Sequence, residues 1–229
     1  MVKLAFDPAD LVNITDPREM PAYTVPEAAW ALRIPVSTIR AWFFGQEQFE
    51  PLLRPALAKS RLLSFNNIVE AFVLRSVRTK HRIPMPYVRS ALDRVENELR
   101  QTRPLLHESF RTDGVRLFVE AFGSLQDATT GQRALFDEHL DRIQFKDGQA
   151  SKLFPFYYHD ERNSPRAIAI DIERCFGRPI VDRISIPTEV IHDRWWWAGE
   201  QIDVIASDYR CEVRDIEEAL RYERAKNAA

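Results

Sequence analysis

The stretch from residue 23 to residue 42 constrains the fold of this chain more than any other. It reads Tyr-Thr-Val-Pro-Glu-Ala-Ala-Trp-Ala-Leu-Arg-Ile-Pro-Val-Ser-Thr-Ile-Arg-Ala-Trp. Thr24 can cap a helix N-terminus, Glu27 lies where it completes a capping box, and Pro26 fits the first turn. Arg-Ile-Pro then ends this helix, and a second helix begins near Val36. The pattern predicts two short helices joined by a tight turn.

Two interpretations of this helix pair are open: a plain helical hairpin, or a helix-turn-helix that places its second helix in the major groove of DNA. Local charge favours DNA, because seven basic residues follow within residues 54–82 and only Glu70 is acidic, which gives 7 − 1 = +6 in a chain of net charge −2. A solvated basic face is the alternative. The seven are Arg54, Lys59, Arg61, Arg75, Arg78, Lys80 and Arg82.

The residues after the helix pair predict a basic wing. Residues 54–65 read as two short strands around a turn at Lys59-Ser60, placed to lie along phosphates. Ser64 then caps a long helix whose predicted inward stripe is Ile68, Val69, Phe72, Val73, Ser76 and Val77. A further amphipathic helix follows, and its predicted inward residues are Tyr87, Val88, Ala91, Leu92, Val95 and Leu99. The predicted DNA-contacting residues in the second helix and the wing are Val36, Ser37, Thr38, Arg40, Arg54, Lys59 and Arg61.

This order of elements resembles the MerR-like winged helix-turn-helix family. The matching segments are residues 23–29, 34–42 and 63–70, and the sequence departs from the family at Arg33, where a turn glycine is frequent. The resemblance implies a DNA-binding domain over residues 23–102, after an N-terminal arm of residues 1–22.

Residues 103–160 predict a small α/β module. Strands are expected at 115–122, 125–129 and 152–158, with a helix lined by Leu135, Leu140 and Ile143. Its phenylalanines are expected in the core, with a ligand pocket as the alternative. They are Phe118, Phe122, Phe136, Phe154 and Phe156.

The last part, residues 161–229, opens on a polar linker and the strand Ala-Ile-Ala-Ile-Asp. Thr188 falls in the opening turn of a helix through Trp197, which Gly199 ends, and two more helices follow in a second helix-turn-helix-like unit.

This region resembles a small C-terminal domain of unknown biochemical function that recurs in bacterial antitoxins. The matching segments are residues 168–171, 176–180, 186–188, 198–200 and 215–220. With the N-terminal part, the chain resembles VapB-type antitoxins, which are encoded beside PIN-domain ribonuclease toxins. The resemblance implies a homodimer whose partners are operator DNA and such a toxin.

Three consecutive tryptophans, Trp195, Trp196 and Trp197, lie at the end of the helix that begins near Thr188. Consecutive helical residues are about 100° apart, so one of the three is expected to face outward. Core packing and a partner interface are both open for them.

The sequence lacks patterns typical of enzymes. There is no glycine-rich phosphate loop, the five histidines lack metal-ligand spacing, and Glu217-Glu218 is expected on a solvated helix face. We therefore expect no enzymatic activity, no metal and no cofactor. Cys175 and Cys211 are expected to be reduced, and neither a signal peptide nor a membrane-spanning run is found, which favours a cytoplasmic protein.

These expectations give an α+β fold that is mainly helical with small β elements. The expected function is that of an antitoxin that represses its own operator and neutralises a toxin. Two alternatives remain, a MerR-like regulator that senses a small molecule through the central module, and a protein-interaction adaptor that does not bind DNA.

Overall fold

The computed structural model describes residues 14–46, 49–81, 85–110 and 138–224. Its fold is α+β, as predicted, with mainly helices and two small antiparallel sheets. The helices are α1 (Val25–Leu32), α2 (Val36–Phe44), α3 (Phe65–His81), α4 (Met85–Leu99), α5 (Thr188–Trp196), α6 (Ile202–Asp208) and α7 (Val213–Arg224). The strands are β1 (Tyr23–Thr24), β2 (Leu62–Leu63), β3 (Ile143–Lys146), β4 (Gln149–Leu153), β5 (Ile168–Asp171), β6 (Pro179–Val181) and β7 (Ile186–Pro187).

Helices α1 and α2 form the predicted pair. The Thr24 side chain caps α1 and the Glu27 carboxylate accepts from the Thr24 N–H at 2.7 Å, so both halves of the capping box are present. Small residues of α1, Ala28 and Ala29, are buried and let α2 approach closely. Three residues, beginning with Arg33, separate the two helices.

Helix α3 begins as predicted after Ser64. The Ser64 hydroxyl accepts from the Asn67 N–H at 3.3 Å, and the Asn67 side-chain oxygen accepts from the Ser64 N–H at 3.1 Å. Ser76 is buried, as the predicted inward stripe requires, and the side chain of Val77 lies outside the described residues. In α4 the prediction for Tyr87 is wrong, because this side chain is 46% exposed near the start of the helix.

The larger sheet is a five-stranded meander in the order β3-β4-β5-β6-β7, with every neighbouring pair antiparallel. Asp147 and Gly148 form its first turn, both at positive φ, which is the conformation that a two-residue hairpin favours. Ile143 was predicted in a helix and lies in β3, since this turn folds the chain back. The strand predicted at 152–158 is confirmed only at residues 152 and 153, because β4 ends at Leu153 and residues 154–158 lie outside any strand. The sheet joins residues on both sides of position 160.

The predicted strands at 115–122 and 125–129, together with Phe118, Phe122, Leu135 and Phe136, lie outside the described residues. Phe154 and Phe156 are buried, as predicted. Phe156 stacks on Phe72 of α3 with ring centroids 5.5 Å apart, so the helical part and the larger sheet share one core.

The C-terminal helices follow the sequence-based expectation within one residue at Thr188 and Trp196, and Gly199 takes a positive φ of 68° after α5. The prediction of a solvated Glu217-Glu218 pair is wrong for Glu218. Its carboxylate is buried and accepts from the Tyr157 and Tyr158 hydroxyls, each at 2.7 Å. The Arg221 guanidinium also donates to this carboxylate, at 3.0 Å, and the three donors supply the partners that a buried polar group needs.

Candidate nucleic-acid interface

Helix α2 exposes two strips of side chains. Val36, Arg40 and Phe44 are spaced by four residues, so they share one side of the helix. Ser37 and Thr38 lie on a second side, with Ser37 exposed and Thr38 half-buried. Ile39, Trp42 and Phe43 are buried and fix the helix to the core.

Residues 54–61, here called the basic loop, lie beside the first strip. The Arg61 guanidinium carbon is 5.9 Å from the centroid of the Phe44 ring, in cation–π range. Arg54, Lys59 and Arg61 are all exposed. The structure therefore places Arg61 beside Phe44 of the first strip, whereas Ser37 and Thr38 lie on the second strip.

The predicted two-stranded wing is present only in part. The turn falls at Lys59-Ser60 as predicted, but one isolated bridge between Leu57 and Leu62 closes the loop, and β2 pairs with β1 instead. Leu62 and Leu63 are buried, so this strand serves the core and cannot extend into an exposed wing.

Asn67, which sequence reasoning did not identify, holds the base of the basic loop. Its buried side chain donates to the Arg54 carbonyl at 2.7 Å and accepts from the Ala56 N–H at 2.9 Å. It also binds the Ser64 N–H at the far end of the loop. One side chain thus fixes both ends of the loop. The signal in the sequence that could have identified Asn67 is the pair of polar residues, Asn66 and Asn67, directly after Phe65.

The predicted local charge of +6 is not all available to a ligand. The Arg75 guanidinium is 16% exposed, donates to the Leu32 carbonyl at 2.8 Å and pairs with Glu161, and burial lowers its pKa. Glu161 lies in the predicted polar linker, which is therefore anchored to α3. The side chains of Arg78, Lys80 and Arg82 lie outside the described residues.

A groove of about 800 Å³ separates the second strip of α2 from the start of α4. Ser37, Thr38 and Trp42 line one wall, and the other wall includes Arg89. The Arg89 guanidinium donates to the Glu50 carbonyl at 2.7 Å and the Pro51 carbonyl at 3.0 Å, which fixes the segment that connects α2 to the basic loop. The groove lies outside the 103–160 module, for which the sequence left a ligand pocket open.

Arg33 occupies the turn between α1 and α2 in the left-handed conformation, with φ 55° and ψ 43°. This conformation costs a non-glycine residue about 1–2 kcal/mol. The guanidinium donates to the Trp30 carbonyl at 2.9 Å and to the Tyr222 carbonyl of α7, and its burial lowers its pKa. These contacts offset the strain and account for an arginine where the resemblance leads one to expect glycine.

The carbonyls at the C-terminal end of α1 are satisfied in part from distant segments. The Ala31 carbonyl accepts from the Tyr222 hydroxyl at 3.2 Å, and the Leu32 carbonyl accepts from Arg75. The Ala29 carbonyl accepts from the Ile34 N–H at 2.9 Å. A helix end is normally completed by local residues or water, so α1 depends on α3 and α7 for its termination.

A second exposed surface lies on the C-terminal part. Trp196 is 55% exposed and Trp197 78% exposed, so two of the three tryptophans face outward where one was expected. Trp195 is half-buried, with the Arg224 guanidinium 5.9 Å from its ring centroid. Phe176 is 90% exposed, on a turn in which Cys175, Phe176 and Gly177 all have positive φ.

This C-terminal surface is acidic. Residues 188–224 contain ten Asp and Glu and five Lys and Arg; without the buried Glu218 and Glu223, the net charge is 5 − 8 = −3. Arg194, in the same helix as the tryptophans, is paired with both Glu200 and Asp208, which neutralise it. The surface therefore combines exposed aromatic rings with excess negative charge.

Within the described residues, no group of three or more His, Cys, Asp or Glu side chains is placed to hold a metal ion. In the same residues, no helix is both long and apolar enough to cross a membrane. Cys175 and Cys211 are both free and half-buried.

Comparison with known proteins gives three likenesses. Residues 168–222, which cover β5 to most of α7, match a family described as "Protein of unknown function (DUF433)". Over 231 residues the chain is 24% identical to a Mycobacterium tuberculosis protein named "Putative antitoxin VapB45", which covers 88% of this chain and 93% of that protein. The crystal structure of Rv2018 from M. tuberculosis superposes with a TM-score of 0.69 at 25% identity, over 88% of this chain and 98% of that one. The likenesses to these two proteins thus extend over most of the chain.

Proposed function

We propose that this protein is the antitoxin of a type II toxin-antitoxin system. It binds operator DNA as a homodimer, represses its own transcription and neutralises a PIN-domain ribonuclease toxin by direct binding. The observation that carries the proposal is the match to the protein named "Putative antitoxin VapB45", over 88% of this chain and 93% of that protein.

The DNA-binding part of the proposal is supported by the position of α2 beside the basic loop. Helix α2 enters the major groove by its N-terminal end, where Val36, Ser37, Thr38 and Arg40 reach base edges and nearby phosphates. Arg54, Lys59 and Arg61 follow the phosphate backbone and supply affinity that is independent of sequence. In a homodimer the two α2 helices read half-sites about 34–36 Å apart.

The toxin-binding part is supported by the acidic, tryptophan-bearing surface. A ribonuclease must attract a polyanion, so it carries positive charge near its RNA-binding site. A surface of opposite charge steers such a partner, and exposed aromatic rings such as those of Trp196 and Trp197 then bury large apolar areas. Trp195 packs against one of them, Trp196, with ring centroids 5.8 Å apart.

Co-expression with the adjacent gene tests the proposal. Induction of the neighbour alone should arrest growth, and induction of both should restore growth and yield a complex that co-purifies. A neighbour that is harmless, or a toxic neighbour that this protein neither binds nor relieves, contradicts the antitoxin role.

The same purified protein separates the alternatives. A small molecule that shifts DNA affinity, in the absence of any adjacent toxin gene, would favour a MerR-like regulator. If the protein does not bind duplex DNA even at low salt, where contacts to phosphates are strongest, the adaptor is favoured.

A further inference from the structure

We propose that the C-terminal helix α7 is a positioning element for the DNA-reading helix α2, and that Arg33 is the residue through which it acts. The inference rests on the proposed function, because it concerns how α2 is oriented for base contacts. It goes beyond that function by assigning a role in DNA reading to a helix of the C-terminal domain.

The first argument is the place of Arg33 in the chain. It begins the three-residue turn before α2, so its backbone sets the direction in which α2 leaves α1. Glycine adopts its left-handed conformation without a side-chain partner. Arginine is held there by contacts, with its guanidinium carbon 4.8 Å from the centroid of the Tyr222 ring and 5.4 Å from that of Trp30.

The second argument is that the contact is reciprocal. The Tyr222 carbonyl lies in the last turn of α7, where a cation is favourable for the helix dipole, and Arg33 donates to it. In return, the Tyr222 hydroxyl donates to the Ala31 carbonyl, and its ring packs edge-to-face on Trp30 at 4.9 Å. Each helix thus completes the C-terminal end of the other.

The third argument is that contacts to base edges depend on the orientation of α2 more than contacts to phosphates do. Hydrogen bonds to base edges require a fixed orientation of the reading helix, whereas charged side chains on the basic loop can follow phosphates from several positions. The basic loop is fixed separately, by Asn67. Loss of the Arg33 contacts should therefore lower operator affinity and leave random-duplex affinity nearly unchanged.

Arg33→Gly is the direct test, since glycine keeps the turn conformation and removes the contacts to α7. Arg210→Gly is the matched control, because Arg210 also has a positive φ, 53°, and is exposed in the turn between α6 and α7. We expect Arg33→Gly to lose about tenfold in operator affinity at constant random-duplex affinity and salt slope. Arg210→Gly should match the wild type. Wild-type operator affinity in Arg33→Gly would overturn the proposal.

Tyr222→Phe keeps the proposal testable if Arg33→Gly does not fold. It removes only the hydroxyl that donates to Ala31, and we expect about a threefold loss on the operator alone. A folded Tyr222→Phe protein that binds the operator as the wild type does would contradict the positioning role.

Amide hydrogen exchange separates this inference from the proposed function. If the wild type binds all duplexes with equal affinity, the proposed function fails. The positioning role is then tested by the exchange rates of the backbone amides of residues 36–44. Faster exchange there in Arg33→Gly than in Arg210→Gly supports the coupling of α7 to α2, and equal exchange overturns it.

Discussion

The Tyr23 hydroxyl donates a 2.6 Å hydrogen bond to the carbonyl of Gly177, 154 residues further along the chain. Tyr23 lies in β1, directly before α1, and Gly177 lies between β5 and β6 in the region that matches the C-terminal family. With the contacts of Arg33 and Tyr222, this bond ties both ends of α1 to the C-terminal part.

Gly177→Ala should destabilise the protein more than Gly148→Ala. Both glycines have positive φ, 75° and 74°, so both substitutions strain the backbone by about 1–2 kcal/mol. At Gly177 the added Cβ would also overlap the Tyr23 hydroxyl, whereas at Gly148 it would meet nothing within 4 Å. We expect Gly177→Ala to lower the free energy of unfolding by about 2–4 kcal/mol, as measured by urea unfolding. Equal losses at the two positions would show that the Tyr23 contact is unimportant.

Stability should fall steeply at alkaline pH. Burial raises the pKa of Tyr23, Tyr157 and Tyr222 well above the ordinary tyrosine value. The unfolded chain therefore loses these protons first, so their stabilisation is complete below about pH 10 and is lost as the pH rises.

Each buried tyrosine contributes a slope of about 1.36 kcal/mol per pH unit above pH 10. In Tyr23→Phe the free energy of unfolding should therefore fall less steeply with pH than in the wild type, because one fewer buried tyrosine proton is involved. This variant should also be less stable by about 1 kcal/mol at neutral pH, since it lacks one hydrogen bond. Urea midpoints measured between pH 8 and pH 12 give both quantities. Parallel curves for the two proteins would contradict the raised pKa of Tyr23.

Arg61→Ala should weaken binding to every duplex. Arg61 is exposed on the basic loop, and removing one phosphate contact lowers the slope of log K against log salt by about 0.9. Arg214→Ala is the control, because it removes an exposed arginine from α7 without touching the loop. Salt titrations on operator and random duplexes give the slopes, and an unchanged slope for Arg61→Ala would remove the basic loop from the interface.

Trp197→Ala should weaken toxin binding by about 2 kcal/mol or more, as expected for a central aromatic contact, with little change in thermal stability. Trp197 is the most exposed of the three tryptophans. Trp195→Ala should instead lower stability, since Trp195 is half-buried against Arg224. Calorimetric titration of the purified toxin with both variants checks this. A Trp197→Ala protein of wild-type affinity would place the toxin elsewhere.

Local patterns were sufficient to predict α1, α2, α3 and the C-terminal helices. Thr24 and Glu27 form a complete capping box, Ser64 caps α3, and Gly199 follows α5, because each signal acts within a few residues. The Asp147-Gly148 turn was a local signal of the same kind and was missed, so Ile143 was assigned to a helix.

Features that depend on distant residues could not be predicted. Arg33 departs from a turn glycine because Tyr222 receives it, and nothing near Arg33 in the sequence indicates this. Glu218 is buried because two tyrosines some 60 residues earlier donate to it. The basic loop forms no long two-stranded wing because Leu62 and Leu63 pair with β1. Burial of these two leucines in the core favours that pairing over a longer hairpin.

The central claim, that α2 reads DNA, is tested most directly by fluorescence anisotropy with two labelled duplexes of equal length. One comes from the region upstream of the protein's own gene, and the other is its scrambled sequence. We predict that the wild type prefers the upstream duplex by about 1,000-fold or more, and that Thr38→Ala lowers affinity for the upstream duplex more than for the scrambled one. Equal affinity of the wild type for both duplexes would contradict the claim.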